Sequence, residues 1–401
     1  SVLRPRYTFP LTCIAAVSFS FCPHATNANN NNVNFTNDFP RTLPLLGCNY
    51  YSWQYEALHR KHPNVPFFAS ESHCMSVTRG AFSFPVRKRW PHVSENPERV
   101  NSSYCWEAGG WSELGKGWAC PPDVQWHYMD KTPSCMGEFV WTGVDYLGGP
   151  YWVAEWKTPI HTCNTGFLDS AGFRKDSFYL YQSRWLPNKP MAHILPHWNW
   201  AGREGEVTPV MVFSSGDEAE LFLNGKSQGI RRRGEGGRFT QNKVELGKND
   251  YRFVWEEVVY EPGTLEVVVK KNGKPWCRAA RRTTGSAVRV QMQADRTTLL
   301  HGQLAFVELS ATDAQGEVVP TDNSPARFSI EGPAELLGFC NGDPTDPTGA
   351  QDPQQRFFHG RLLAIIRATQ GHGEIILRVT TPTLGTHALP LRVEKVCTET
   401  D

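Results

Sequence analysis

The run Val65-Pro66-Phe67-Phe68-Ala69-Ser70-Glu71 is an apolar strand signal that ends on a carboxylate. A carboxylate delivered at a strand end can serve as a nucleophile or as a general acid or base. On residue type alone the other reading, an exposed Glu closing a strand, stays open. His73 lies two residues further on and would share a face with Glu71 only if the strand continued; the small polar run there predicts a loop instead. Glu107 and Glu113 sit in a Gly- and Trp-rich stretch. Glu138 lies three residues before Trp141, so a strand would point the two to opposite faces. None of these three is expected to act as a second catalytic carboxylate. Aromatic residues suit a sugar partner: of 14 Trp, twelve precede residue 201. Their rings offer flat apolar faces with a polar handle. Core packing accounts for most of them.

Positioning such groups takes short strands alternating with helices. Pro44-Leu45-Leu46-Gly47-Cys48-Asn49-Tyr50 reads as a buried strand with a polar end, Tyr55 to His62 as a short helix, and Val65 to Glu71 as a second strand. Val124 to Met129 reads as helical, and Gly137-Glu138-Phe139-Val140-Trp141-Thr142 as a third strand. This order predicts parallel βα units, whose functional groups gather at the carboxyl ends of the strands. After residue 200 the period changes to that of antiparallel sandwiches. Val210 to Phe213 and Ala219 to Leu223 are short strands, and Asn224-Gly225 and Asn272-Gly273 are type I′ hairpin signals. Arg278 to Ser286 reads as a linker. A second sandwich follows, with strands over Leu304 to Leu309, Ala326 to Ile330, Leu362 to Arg367 and Glu374 to Val379.

Composition excludes several classes. A net charge of +1 sets up no field for nucleic acid or an anionic membrane. The basic runs Arg87-Lys88-Arg89 and Arg231-Arg232-Arg233 read as solvated loops. The 11 Cys contain no C-x-x-C pair, which argues against zinc and redox motifs and for free, mostly buried thiols. No metal or other cofactor is expected, and no apolar stretch is long enough to span a bilayer. Residues 1–40 read as non-globular. Arg4, Arg6 and the apolar run Phe9 to Phe21 have the pattern of an export signal, but the chain opens on Ser1, and Asn27 to Asn34 is low in complexity. Secreted and cytoplasmic locations both stay open, as does assembly into a homo-oligomer.

Several segments, in order, resemble glycoside hydrolase family 2, and in particular its multi-domain β-galactosidases. Phe68-Ala69-Ser70-Glu71-Ser72-His73, running to Thr78-Arg79-Gly80, is similar to the family's nucleophile region. Leu46-Gly47-Cys48-Asn49-Tyr50 is similar to the preceding strand. Gly137 to Gly148 is similar to the last barrel strand, and Lys175 to Ser183 to the helix after it. Leu195-Pro196-His197-Trp198-Asn199-Trp200 and Gly338-Phe339-Cys340-Asn341-Gly342-Asp343-Pro344 are similar to parts of the sandwiches. The likeness covers roughly residues 41–395.

The resemblance implies a multi-domain chain in which 41–192 is the C-terminal part of a (β/α)8 TIM barrel. Residues 193–280 and 286–397 would form two immunoglobulin-like antiparallel β-sandwiches. It implies retaining hydrolysis of terminal β-galactosides. Glu71 would be the nucleophile, Tyr50 a donor that keeps it ionised, and Trp141, Asp145, His197 and Trp200 would bind substrate. Asp145 could instead hold a loop, and His197 and Trp200 could instead seal a domain interface. The family's general acid/base is a Glu following Asn, and this chain has no Asn-Glu pair. Gly149 also departs from the subgroup, which usually has Glu there. The expectation is therefore an incomplete chain. The alternatives are an inactive carbohydrate- or protein-binding remnant, or a β-glucuronidase or β-mannosidase.

Overall fold

The computed structural model describes residues 25–28, 39–72, 78–80, 82, 122–148, 161–241 and 244–395. They fall into two compact units, one drawn from Ser1–Cys74, Gly110–Trp141 and Gln241–Val244, the other from Met75–Gly109, Thr142–Thr240 and Glu245–Asp401.

The first unit is built on a four-stranded parallel sheet of β1 (Ala25–Ala28), β2 (Leu45–Asn49), β3 (Phe67–Ser72) and β4 (Cys135–Val140), in that order. Helix α1 (Tyr55–Lys61) connects β2 to β3, and α2 (Pro122–Lys131) precedes β4. In α1, Tyr55 and Leu58 are one turn apart and therefore share a face. Both are buried against Leu46, Cys48, Phe67 and Ala69 of the sheet. Tyr128 and Met129 of α2 pack on the same cluster. Helices over a buried parallel sheet are what the alternating pattern predicts. Strand β1 corrects one expectation, because it lies inside the segment read as non-globular. Its sequence Ala-Thr-Asn-Ala has no apolar run or period to announce a strand; pairing with β2 defines it.

The second unit is mostly antiparallel sheet arranged as two β-sandwiches. In the first, the strands run Lys226–Arg232, Glu218–Leu223, Thr264–Lys271 and Lys274–Arg282 in one sheet. Phe253–Trp255, Val210–Ser214 and Ala192–Leu195 form the other. Both expected hairpins are present: Asn224 and Gly225 have φ of 50° and 78°, and Asn272 and Gly273 have 52° and 73°, the paired positive values of a type I′ turn.

Two expectations fail in this sandwich. The supposed linker from Arg278 is strand as far as Arg282; it is an edge strand, and its arginines suit an exposed edge. Nor is Arg231-Arg232-Arg233 a solvated loop. Arg231 and Arg232 end a strand, while Arg233 donates to the carbonyls of Ser214 and Gly216 and lies 4.5 Å over the Phe253 ring. Burial pulls the Arg233 guanidinium down to about 10.

The second sandwich pairs a four-stranded sheet (Arg289–Ala294, Leu304–Thr312, Arg361–Ala368, Ala334–Cys340) with a five-stranded one (Thr298–Leu299, Gly385–Val393, Gly373–Thr381, Pro325–Glu331, Gln354–Arg356). Alternate residues from both meet in one core that includes Val307, Leu309, Leu362, Ile366, Leu377 and Val379. The strands Ala334–Cys340 and Gly385–Val393 were not expected from the sequence. Among the described residues, no helix is long and apolar enough to cross a membrane. The five described cysteines, Cys48, Cys135, Cys163, Cys277 and Cys340, are all free.

Leu377 is fully buried between the two sheets of the second sandwich. Leu377→Ala removes its contacts and leaves a cavity, so the variant should lose about 3 kcal/mol. Residues 286–397 contain no tryptophan, so urea unfolding followed by far-ultraviolet circular dichroism should show a clearly lower midpoint for the sandwich transition; an unchanged midpoint would mean that the site collapses or is not core.

Candidate active site

Strand β3 begins with regular alternation. Phe67 and Ala69 are fully buried on the helix side, while Phe68 and Ser70 are half-buried. Strict alternation would next turn Glu71 into the helix-side core beside Ala69. The pairing prevents this. Cys48 of β2 pairs with Ala69, but the next residue, Asn49, pairs with Glu71, so Ser70 is an extra residue. The register against β4 also shifts, from Ala69 opposite Glu138 to Ser72 opposite Val140. Strand β3 thus carries one extra residue against β2, a β-bulge of the kind that re-aims a side chain, while against β4 the shift undoes an opposite one between Phe67 and Ala69.

The side-chain partners follow from that shift. Ser70 Oγ donates to Asn49 Oδ1 at 2.7 Å, and Asn49 Nδ2 donates to Glu71 Oε2 at 3.1 Å. Ser70 and Glu71 therefore share the asparagine on one side. The Tyr50 hydroxyl donates to Glu71 Oε1, and the Tyr50 backbone N–H donates to the Glu71 carbonyl at 2.7 Å. Gly47 makes room for this cluster, since a Cβ at that position would lie 2.8 Å from Ser70 Oγ. Tyr50 and Tyr51 have φ of 54° and 49°. For bulky residues this is a strained left-handed backbone, costing on the order of 1–3 kcal/mol each, and the bonds from Tyr50 to Glu71 help to hold it.

Ser72 returns to the helix side and is fully buried. Its Oγ donates to Glu138 Oε2 at 2.7 Å, and Trp126 Nε1 of α2 donates to Glu138 Oε1 at 2.7 Å. On the other face Phe139 meets Phe68, with ring centroids 5.5 Å apart. Trp141, one residue past the end of β4, donates its backbone N–H to the Ser72 carbonyl and is 36% exposed.

Glu71 and Tyr50 are thus in direct contact, and Trp141 is tied to the end of the same strand. Sequence reasoning missed Asn49, Ser70, Ser72 and Trp126 and set Glu138 aside. Asn49 carried one signal, its place between an apolar strand and Tyr50. The others depend on the bulge, for which the sequence has no period. His73, Glu107, Glu113 and Gly149 lie outside the described residues. Among the described residues no group of three His, Cys, Asp or Glu side chains could hold a metal ion.

Asp145, His197 and Trp200 belong to the second unit and are buried. Asp145 Oδ1 accepts from Lys175 Nζ at 2.6 Å and from the Gly166 N–H at 2.7 Å. Lys175 Nζ also donates to the Asn164 carbonyl at 3.0 Å. Of the two roles expected for Asp145, holding a loop is the one this geometry provides. Burial pushes its carboxyl up to about 7 against the pull of Lys175, and burial lowers the Lys175 ammonium. The motif arginine Arg79 forms a second buried pair, with Asp169 at 2.6 Å, and donates to the Asn341 carbonyl. His197 stacks on Trp200 with centroids 4.4 Å apart, and its Nδ1 accepts from the Asn199 N–H. Burial, reinforced by His359 and Arg281, pulls His197 down to about 3.

Residues 290–389 match the model of glycoside hydrolase family 2 C-terminal domain 5, and 205–277 match a domain of unknown function, DUF4982. A β-galactosidase from Bacteroides ovatus is 28% identical over 362 residues, which is 88% of this chain and 40% of that protein. A putative β-glucuronidase from Formosa agariphila is 34% identical over 278 residues, 66% of this chain and 24% of that protein. The chain therefore spans well under half the length of these curated relatives. Among solved structures, a β-glycosidase from Bacteroides vulgatus superposes with a TM-score of 0.71 at 26% identity, covering 88% of this chain and 45% of that one.

The burial of His197 predicts a pH effect. Above pH 6.5 the imidazole is neutral in both the folded and unfolded chain. Below it the unfolded chain binds a proton that the fold refuses until about pH 3, so stability falls on acidification through this window. By pH 5 the loss is about 2 kcal/mol. His197→Gln removes this contribution, and calorimetry should find a smaller drop in melting temperature between pH 7 and pH 5 than in the unsubstituted chain. Equal drops would contradict a buried neutral His197.

Proposed function

Because this chain belongs to glycoside hydrolase family 2, we propose that it carries the nucleophile half of a retaining β-glycosidase acting on β-galactosides. The observation that carries the reading is the carboxylate of Glu71, turned out of the core by a bulge and held by Tyr50 and Asn49 at the carboxyl end of a parallel strand. The parallel sheet is read as the C-terminal arc of a (β/α)8 barrel over residues 41–192. The sandwiches that follow are read as immunoglobulin-like, the first extended to Arg282 and the second spanning 286–397.

In this reading a Glu71 oxygen attacks the anomeric carbon while the bond from that carbon to the leaving oxygen breaks. A second carboxylate about 5–5.5 Å away protonates the leaving group and later takes a proton from the attacking water. The glycosyl-enzyme ester then opens with the β configuration retained. Tyr50 and Asn49 orient the attacking carboxylate, and the exposed face of Trp141 serves as a wall for the sugar. Asp145, His197 and Trp200 are buried within the second unit and are read as supports of its own loops rather than as direct sugar contacts. The chain has no Asn-Glu pair, so the acid/base is proposed to come from outside it, in line with its 40% coverage of the β-galactosidase relative.

Two measurements test this. The chain alone should not turn over nitrophenyl β-galactoside; turnover abolished by Glu71→Gln would overturn the need for an outside acid. A dinitrophenyl 2-deoxy-2-fluoro-β-galactoside has a leaving group that departs without protonation, so it tests the nucleophile apart from the acid. It should label Glu71, as read by peptide mass mapping, and leave Glu71→Gln unlabelled. Label on another carboxylate would sink the assignment. Labelling by the corresponding glucuronide alone would move the substrate to β-glucuronides, as the 34%-identical relative suggests.

A further inference from the structure

We propose that Glu138 is the positioning residue that sets the direction of Glu71, an inference that rests on Glu71 being the nucleophile. Glu138 sits on the helix side of β4, where its two carboxylate oxygens accept from Ser72 Oγ and Trp126 Nε1, each at 2.7 Å. Ser72 is the residue next to Glu71 and is fully buried. The network therefore clamps the end of β3 to α2 one residue beyond the nucleophile.

The clamp matters because side chains on a strand alternate with a period of two. A slip of one residue would exchange the faces of Ser72 and Glu71. Strand β3 already carries an extra residue at this point against β2, so regular pairing with β2 is the competing arrangement. Regular pairing would turn Glu71 into the core beside Ala69 and Phe67 and carry Ser72 to the open face. Glu138 opposes it by rewarding the bulged phase with two hydrogen bonds to a charged acceptor, roughly twice as strong as neutral ones. The asymmetry of the neighbouring contacts agrees: Phe139, the next residue on β4, meets Phe68 on the face that Glu71 shares with Ser70. As a carboxylate Glu138 accepts both bonds as charge-assisted ones. An amide of the same shape could still accept from Trp126 and donate to the Ser72 hydroxyl, but only through weaker neutral bonds.

The test follows the first-order rate at which the chain is labelled by the dinitrophenyl fluorogalactoside at saturating reagent, with the reagent's apparent dissociation constant measured alongside. Glu138→Gln and Ser72→Ala should each slow labelling of Glu71 at least tenfold while leaving the dissociation constant within about twofold. The double variant should be no slower than the slower single one, because both act through the same clamp. Glu138→Asp should recover part of the rate. Circular dichroism melting, run on every variant, separates folding from positioning, with rates taken per folded chain. A chain that is not labelled at Glu71 before any substitution overturns the nucleophile reading and this inference with it. A chain labelled at Glu71 whose Glu138→Gln and Ser72→Ala variants lose only melting temperature, and react at the unsubstituted rate, overturns the positioning role alone.

Discussion

One extra residue in β3 governs the candidate site. Side chains on a regular strand alternate faces, and by that rule the carboxylate of Glu71 would enter the apolar layer formed by Phe67, Ala69, Tyr55 and Leu58. An unpaired carboxylate there would carry a heavy desolvation cost. Placing the surplus residue at Ser70 breaks the alternation once, so Ser70 and Glu71 both reach Asn49 while Ser72 returns to the buried side. The strained left-handed backbone of Tyr50, the missing Cβ of Gly47 and the carboxylate of Glu138 all serve this one displacement. Gly47 and Tyr50 act from β2 and its carboxyl end, and Glu138 acts from β4.

Ionic contacts inside the second unit work differently. Asp145 with Lys175, and Arg79 with Asp169, are pairs whose charged atoms are almost wholly buried. Such pairs contribute little net stability against apolar replacements, but losing one partner leaves the other charge stranded. Each pair also reaches backbone: Lys175 to the Asn164 carbonyl, Asp145 to the Gly166 N–H, Arg79 to the Asn341 carbonyl. They fix loops in one arrangement. The ordered run Gly338 to Pro344, which resembles its family counterpart, owes part of its conformation to Arg79, more than 250 residues earlier in the chain.

Much of the fold was legible in the residues. The Asn-Gly turns, the alternating strands of the second sandwich and the amphipathic α1 follow from local periods and turn chemistry, which act over a few residues. What escaped notice depends on distant partners. Ala25–Ala28 is a strand only because β2 offers an edge, and Arg278–Arg282 continues a strand although its charges resemble those of a linker. Arg233 looked solvated in a run of three arginines, yet its donors find main-chain carbonyls near Ser214. In the site, Glu71 and Tyr50 were visible through motif order. Asn49, Ser72, Trp126 and Glu138 were not assigned roles, because a bulge leaves no trace in hydrophobic period and a hydrogen bond spanning 66 residues, as between Ser72 and Glu138, has no local signature.

Crystallography of the chain after reaction with the fluorogalactoside reads the central claim directly. The account predicts continuous density from a Glu71 carboxylate oxygen to the anomeric carbon, with the sugar on the face that carries Ser70 and Phe68 and with Ser72 still bonded to Glu138 on the other. A sugar attached elsewhere, or a β3 in regular register with Glu71 beside Ala69 in the core, would contradict it.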